Sequence, residues 1–271
     1  MNPTFQVAPI TDKAILRAYF SQDRPLYGYA LGDLEEGMWQ ISTYLGAFRD
    51  GKLESVALIW RGVEPPVLVQ FGTDEAAAAL FSYLPDKVFY MLPAAMMPVY
   101  QQHFETPAKI DSLWRMQVTP SSFKSTQAQP ETTRRLTESD VTALQRLYAD
   151  DGPRAEVIEA LSASQINSGV FFGVFQQDRL VAVAGSHFCS PNESVAAVGY
   201  VYTTAAERGK GYATLATSAV TQTFFETGIR DVILNVAQPN APAIRAYEKL
   251  GFRIHAAIME GYGIRPHANQ R

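Results

Sequence analysis

Two short stretches of this chain carry residue types that could do chemistry. The first is Arg208-Gly209-Lys210-Gly211-Tyr212-Ala213. It follows an apolar, β-branched run containing Val201, Tyr202 and Thr203 and precedes an amphipathic segment that extends to about Phe225. A strand that turns through glycines into the first turn of a helix aims several backbone N–H groups at one point, which is a place to hold a phosphate. Gly209 and Gly211 allow close backbone approach, and Arg208 and Lys210 add positive charge. The second stretch is Asn240-Ala241-Pro242-Ala243-Ile244-Arg245-Ala246-Tyr247-Glu248-Lys249-Leu250-Gly251-Phe252. Together they point to a cofactor with phosphates at one end and chemistry at the other.

Three phosphate-binding folds can be tested against the glycine turn. A P-loop needs G-x-x-x-x-G-K-[ST]. Here position 206 is alanine and Lys210 precedes Gly211, so the pattern fails. A dinucleotide fold needs G-x-G-x-x-G/A and a carboxylate after the next strand. The third glycine position is Thr214, and the run Val232-Ile233-Leu234-Asn235-Val236 leads to amides and Pro239 without a carboxylate. The third pattern, R-x-x-G-x-A from Arg208 to Ala213, resembles the coenzyme A pyrophosphate loop of the GNAT superfamily of N-acyltransferases. The second stretch, N-x-x-A-x-x-x-Y-x-K-x-G-F, resembles the end of a GNAT catalytic domain and stands at the expected distance. The V-Y-T wording before the loop is similar to the glycine N-acyltransferase-like branch. The resemblance covers roughly residues 134 to 260.

The resemblance implies a role for each feature. Backbone N–H groups from Arg208 to Ala213, Tyr212 included, cradle the pyrophosphate of acetyl-CoA. The strands at 195–203 and 232–236 splay apart, and pantetheine lies in the gap against the backbones of Val201, Tyr202 and Thr203. An N–H near Tyr202 points at the thioester oxygen, where a donor stabilises developing negative charge. Asn235, Asn240 and the motif alanine Ala243 lie across the gap as further cofactor contacts. Tyr247 is the general acid, since a phenol of pKa ~10 can protonate a leaving thiolate. Many relatives carry a glutamate on the fourth strand as base, but the matching residues here are Ala196-Ala197-Val198-Gly199. His187, Glu193 and a water relay remain as acceptors of the proton of the amine.

Function follows in three forms. The first is an N-acetyltransferase that moves an acetyl group from acetyl-CoA to a primary amine of a small molecule or amino acid. The second is a non-catalytic acyl-CoA-binding or regulatory protein, and the third a mycothiol synthase-like amino-sugar acetyltransferase. Asp150-Asp151-Gly152-Pro153-Arg154 is a candidate acceptor loop, its acids suited to an amine and its arginine to a carboxylate.

The composition bounds these readings. Residues number 271, of which 47% are apolar and 18% charged, as in globular domains. Residues 1–128 carry 10 basic and 13 acidic groups and residues 129–271 carry 13 and 14, so neither half has the surplus of a nucleic-acid binder. No run approaches the ~20 apolar residues of a membrane span. The N-terminus lacks a basic region before an apolar run, and a cytoplasmic protein is expected. Cys189 is the sole cysteine, and His103, His187, His255 and His267 show no metal-ligand spacing. No metal is expected. The partner is a small-molecule amine, with the oligomeric state, monomer or homodimer, left open.

The elements that must position these residues occur twice. Gly46-Ala47-Phe48-Arg49-Asp50-Gly51-Lys52-Leu53-Glu54-Ser55-Val56-Ala57 and Gly173-Val174-Phe175-Gln176-Gln177-Asp178-Arg179-Leu180-Val181-Ala182-Val183-Ala184 agree at five of twelve positions without a gap. Each reads as a strand, a polar turn and a second strand. Ile10-Thr11-Asp12 echoes Leu136-Thr137-Glu138 upstream, and Val99-Tyr100 to Phe104 echoes Ala246-Tyr247 to Phe252 downstream. Self-similarity at a spacing near 127 residues implies two copies of one domain. The expected fold is α/β: two tandem GNAT-like domains, each a central mixed β-sheet flanked by helices. Residues 1–125 form a degenerate copy and residues 126–271 the catalytic one, joined through the Ser-, Thr-, Gln- and Pro-rich segment from Thr119 to Thr133. In the second copy, helices are expected at 138–149, 154–161, 211–226 and 241–250, and strands at 170–175, 180–188, 195–203 and 232–236, with further strands at the terminus. The first copy has Phe71-Gly72-Thr73-Asp74-Glu75 where the loop should be, with two carboxylates where an anion would dock. A single coenzyme A site, in the second copy, is expected.

Overall fold

The computed structural model describes residues 5–126, 132–149 and 163–266. The chain divides into two compact units, Met1–Arg115 with His255–Arg271, and Met116–Ile254. In the first, β1 (Gln6–Pro9), α1 (Lys13–Phe20), α2 (Gly28–Gly32), α3 (Glu36–Trp39), β2 (Ser42–Arg49), β3 (Lys52–Trp60), β4 (Val67–Gly72), α4 (Asp74–Leu80), β5 (Lys87–Pro93) and α5 (Met97–Tyr100) follow in order. β6 (Asp111–Val118) carries the chain across the division. The second unit then runs β7 (Thr133–Arg135), α6 (Val141–Ala149), α7 (Ala163–Ser168), β8 (Phe171–Gln176), β9 (Arg179–Ser190), β10 (Val195–Thr203), α8 (Tyr212–Glu226), β11 (Asp231–Ala237) and α9 (Ala241–Lys249), before β12 (Arg253–Ile264).

Both units are mixed α/β and share one strand pattern. In the first, β1 to β4 pair as antiparallel neighbours in chain order, and β4 runs parallel to β5. In the second, β7 to β10 do the same, and β10 runs parallel to β11. The expected boundary, one domain ending at 125 and the other taking everything from 126, is corrected in two places. The division falls at Arg115 and Met116, and from His255 onward the chain belongs to the first unit. There β12 pairs antiparallel with β5, from Ile258 opposite Pro93 to Ile264 opposite Lys87. Backbone hydrogen bonding decides this, because β5 has a free edge opposite β4 that an extended terminal segment can satisfy.

The duplicated hairpin is reproduced in detail. β2 and β3 carry a register irregularity between Ala47 and Phe48, and β8 and β9 carry one between Val174 and Phe175. The turn residues Asp50 and Gln177 both adopt positive φ, 51° and 54°. These positions are equivalent in the sequence repeat, so bulge and turn geometry recur together. Upstream, Asp12 accepts the Ala14 N–H at 2.8 Å to start α1. At the matching place Thr137 and Asp140 form a capping box that leads into α6.

The core of the second unit gathers Leu136, Leu144, Leu147, Tyr148, Phe171 and Val183. α8 buries Ala216, Val220 and Phe224 at four-residue spacing, with Thr217 and Thr221 beside them. Leu215 and Ala219, beside that face, are half-buried. The expected helix at 154–161 and the loop Asp150 to Arg154 lie outside the described residues. A single long strand, β12, replaces the several terminal strands expected. No helix among the described residues is long and apolar enough to cross a membrane.

Candidate functional site

β10 and β11 separate partway along their length. Their pairing runs from Val195 with Asp231 to Ala197 with Ile233 and goes no further, although β10 continues to Thr203 and β11 to Ala237. The remaining half of β10 keeps its antiparallel bonds to β9 on its other side. Thr204 N–H donates to Val181 O of β9 at 3.0 Å. Successive strand amides point in opposite directions, so the N–H groups of Val201 and Thr203 turn toward the gap while that of Tyr202 turns toward β9. An extra residue enters β10 between Gly199, opposite Gly185, and Tyr202, opposite Val183. Tyr200 within this bulge has φ +54°, a left-handed backbone rare for an aromatic residue. Tyr148 Oη donates to the Tyr200 carbonyl.

The glycine turn ends at Gly211, which caps α8 in the left-handed conformation at φ +87°, with Gly209 at +80°. A Cβ at either glycine would meet nothing within 4 Å. Backbone conformation, rather than close approach by a neighbour, demands glycine in this turn. No side chain caps α8, and its first turn holds no acidic residue. Among the described residues, the N–H groups of Gly209 to Thr214 have no hydrogen-bond acceptor. Arg208 leans back, its Nε donating to Thr203 O at 3.1 Å. Lys210 Nζ donates to Glu207 Oε2 at 2.9 Å, which raises its pKa, and the lysine does not line the cleft below. The lysine side chain forms a surface ion pair within the loop.

α9 presents the second motif. Asn240 Oδ1 accepts the Ala243 N–H at 3.3 Å, and Pro242 follows in the first turn. At the other end Phe252 N–H donates to Tyr247 O, and Gly251 adopts φ +90°. A Cβ there would stand 2.0 Å from Ser122 O, so no other residue fits. This clamp fixes the turn that carries Tyr247. The Tyr247 side chain is buried, which pushes its pKa above the ordinary phenol value, and its hydroxyl makes no hydrogen bond to any described residue.

Two cavities meet at this tyrosine. A cleft of about 660 Å³ is lined by Val201–Thr203, the glycine turn, the start of α8 and the face of α9 with Asn240, Ala243 and Tyr247. A smaller cavity of about 350 Å³ is lined by Tyr148, His187, Tyr200, Asn235, Asn240 and Tyr247, among others. Val201, Asn240 and Tyr247 border both. Asn235 thus belongs to the smaller cavity rather than to the cleft. His187 also faces it, bulged out of β9 between Ser186 and Phe188 and set edge-on to Tyr200, with ring centroids 5.9 Å apart. Glu193 does not join them. It lies buried in the turn between β9 and β10, its N–H bonded to Ser190 Oγ, at the opposite end of β10 from Thr203. Strand length separates it from the site by ~25 Å at about 3.3 Å per residue. Sequence reading missed Tyr148 and Tyr200, whose types fit a helix face and a strand and give no signal of a cavity wall. No group of histidine, cysteine, aspartate or glutamate side chains that could hold a metal occurs among the described residues.

A strand that parts from its neighbour, a bare helix start and a phenol across the gap define a fold class that the comparisons name. Residues 135–252 match the model of the acetyltransferase (GNAT) family. The GNAT-like fold extends through both units. A solved Drosophila protein covers 98% of this chain, and is itself covered in full, at TM-score 0.69 and 12% identity. A tandem GNAT protein from the clavulanic acid biosynthesis pathway covers 96%, with 98% of its own length matched, at TM-score 0.55 and 11% identity. An acetyltransferase of the GNAT family from Novosphingobium aromaticivorans covers 73%, with 84% of its own length matched, at TM-score 0.51 and 24% identity. No curated protein matches the chain by sequence.

Proposed function

We propose that the second unit binds acetyl-CoA and transfers its acetyl group to a primary amine of a small molecule. The observation that carries this reading is the set of acceptor-less N–H groups from Gly209 to Thr214, which open on the same cleft as Tyr247. Such a helix start favours an anion through both its free donors and its dipole. The residues therefore fit a pyrophosphate, and the edge of β10 from which β11 has parted fits the amide-bearing arm of pantetheine. When bound, acetyl-CoA supplies an acyl group activated as a thioester. Val201 N–H is aimed to donate to an oxygen that gains negative charge, and Thr203 N–H to hold the arm behind it. Tyr247 Oη carries the proton that a leaving sulfur requires. A phenol of ordinary pKa ~10 already keeps its proton at neutral pH and burial only raises that value, so Tyr247 meets the thioester as a donor rather than a base. His187, across the smaller cavity, accepts the proton of the incoming amine. Asn235 and the Tyr200 ring border the space for the acceptor.

Calorimetry with CoA, followed by thiol release over a panel of amines, tests the reading. One CoA bound per chain and acetyl-CoA-dependent thiol release are expected, and no heat of binding would overturn it. A second reading, an acyl-CoA-binding protein without turnover, draws on one observation: the described residues lining the smaller cavity include no carboxylate. Tight CoA binding with no thiol release from any amine would favour it.

A further inference from the structure

The peptide unit between Tyr200 and Val201 has one end in each environment of the site. Its carbonyl accepts a hydrogen bond from Tyr148 Oη, and its N–H, like that of Thr203, faces the gap between β10 and β11. A peptide unit is planar and rigid, with C=O and N–H pointing in opposite directions. Fixing one end therefore fixes the other. Three further observations bear on how firmly it is held. Tyr200 stands at φ +54°, a conformation that returns to the ordinary β region unless its surroundings hold it. The bulge removes this stretch from the β9 ladder between Gly199 and Tyr202, so that ladder does not hold the Tyr200 carbonyl. Tyr148 is fully buried near the end of α6, its ring 5.2 Å from that of Tyr202, so its hydroxyl has a fixed origin.

We propose that Tyr148 is the positioning residue of the oxyanion donor. Its hydroxyl holds the Tyr200 carbonyl, which sets the direction of the Val201 N–H and, by drawing electrons toward the carbonyl oxygen, makes that N–H a stronger donor. Tyr148 acts through the peptide and need not touch the thioester. The proposal rests on the acetyl-CoA reading above, and the two can fail separately.

The test is Tyr148→Phe, which keeps the ring and removes the hydroxyl. Expected are a loss of kcat of about tenfold or more with the Kd for CoA within about twofold of wild type. The carbonyl stretch of ¹³C-labelled acetyl-CoA, lowered on binding to the wild-type protein, moves back toward its free value in the variant. A purely structural tyrosine would not move that band. Unchanged kcat and an unchanged band overturn the proposal, and so does a kcat loss with the band unmoved. Wild-type protein that binds no acetyl-CoA removes the parent reading and this proposal with it. If Tyr148→Phe fails to fold, 3-fluorotyrosine at position 148, a stronger donor of nearly the same shape, replaces it. A larger band shift than wild type is then expected, and an unmoved band overturns the proposal.

Discussion

Each unit carries a strand, a helix and a parallel strand in succession: β4, α4 and β5 in the first, β10, α8 and β11 in the second. The junctions between strand and helix differ in every respect that matters to an anion. In the first unit Thr73 Oγ1 accepts the Ala76 N–H, and Asp74 and Glu75 occupy the first turn of a helix of seven residues. Glu75 is in turn paired with Arg49 at 3.2 Å. The donors and the dipole are answered from within the chain. In the second unit Gly211 offers no side chain, the first turn is uncharged, and fifteen helical residues stand behind it. The tyrosines of the two downstream motifs differ likewise. Tyr100 is fully enclosed and stacked on Phe104 at 4.7 Å, whereas Tyr247 borders two cavities. The same scaffold thus closes one site with a cap, two carboxylates and an aromatic stack, and leaves the other open.

The comparison is broken most severely at the phenol. Tyr247→Phe is expected to lower kcat by about 100-fold or more while KM for acetyl-CoA changes by less than about threefold, as read from steady-state thiol release. Unchanged turnover would make Tyr247 a packing residue like Tyr100. Next comes a transplant of the acids of the first unit. Tyr212→Asp with Ala213→Glu is expected to weaken CoA binding on the order of 100-fold, about 2–3 kcal/mol, by calorimetry. The reverse exchange, Asp74→Ala with Glu75→Ala, leaves one CoA per chain, because Thr73 still occupies an amide of its helix.

A smaller effect distinguishes the two helix starts upstream. Arg134 donates two bonds to Asp140, at 2.7 and 2.9 Å, and with the Thr137 N–H it lowers the Asp140 pKa to about 2. A carboxylate with a depressed folded pKa adds stability above its unfolded value, ~4, and loses it as pH falls through the folded one. Asp140→Asn is therefore expected to cost about 1–2 kcal/mol at pH 7 in urea unfolding, a difference that vanishes as pH falls from about 4 toward 2. A cost independent of pH would mean that shape rather than charge holds the cap. The smallest expected effect is at Glu193. Glu193→Gln leaves kcat within about twofold, and a large loss would return it to the list of bases despite its distance.

The chain alone was explicit wherever chemistry depends on neighbours in sequence. The glycine turn needs positive φ at 209 and 211, the cap needs Asn240, and the helix end needs Gly251, so each is written as a residue type at a fixed spacing. The hairpin repeat was legible for the same reason, since bulge and turn are properties of a few consecutive residues. Contacts across distance were not legible. Glu193 and His187 are six residues apart and looked equivalent, but β-strand rise carries one away from Tyr247 and a bulge turns the other toward it. That Lys210 pairs with Glu207, three residues before it, was not legible either. Tyr148 and the left-handed backbone of Tyr200 have no signature at all in the sequence, because an aromatic residue suits a helix face or a strand as well as it suits a cavity. The terminal strand shows the limit most simply. Its residues say only that they are extended, and an extended segment pairs with whichever edge lacks partners, a choice settled by three-dimensional hydrogen-bond satisfaction and not by order along the chain.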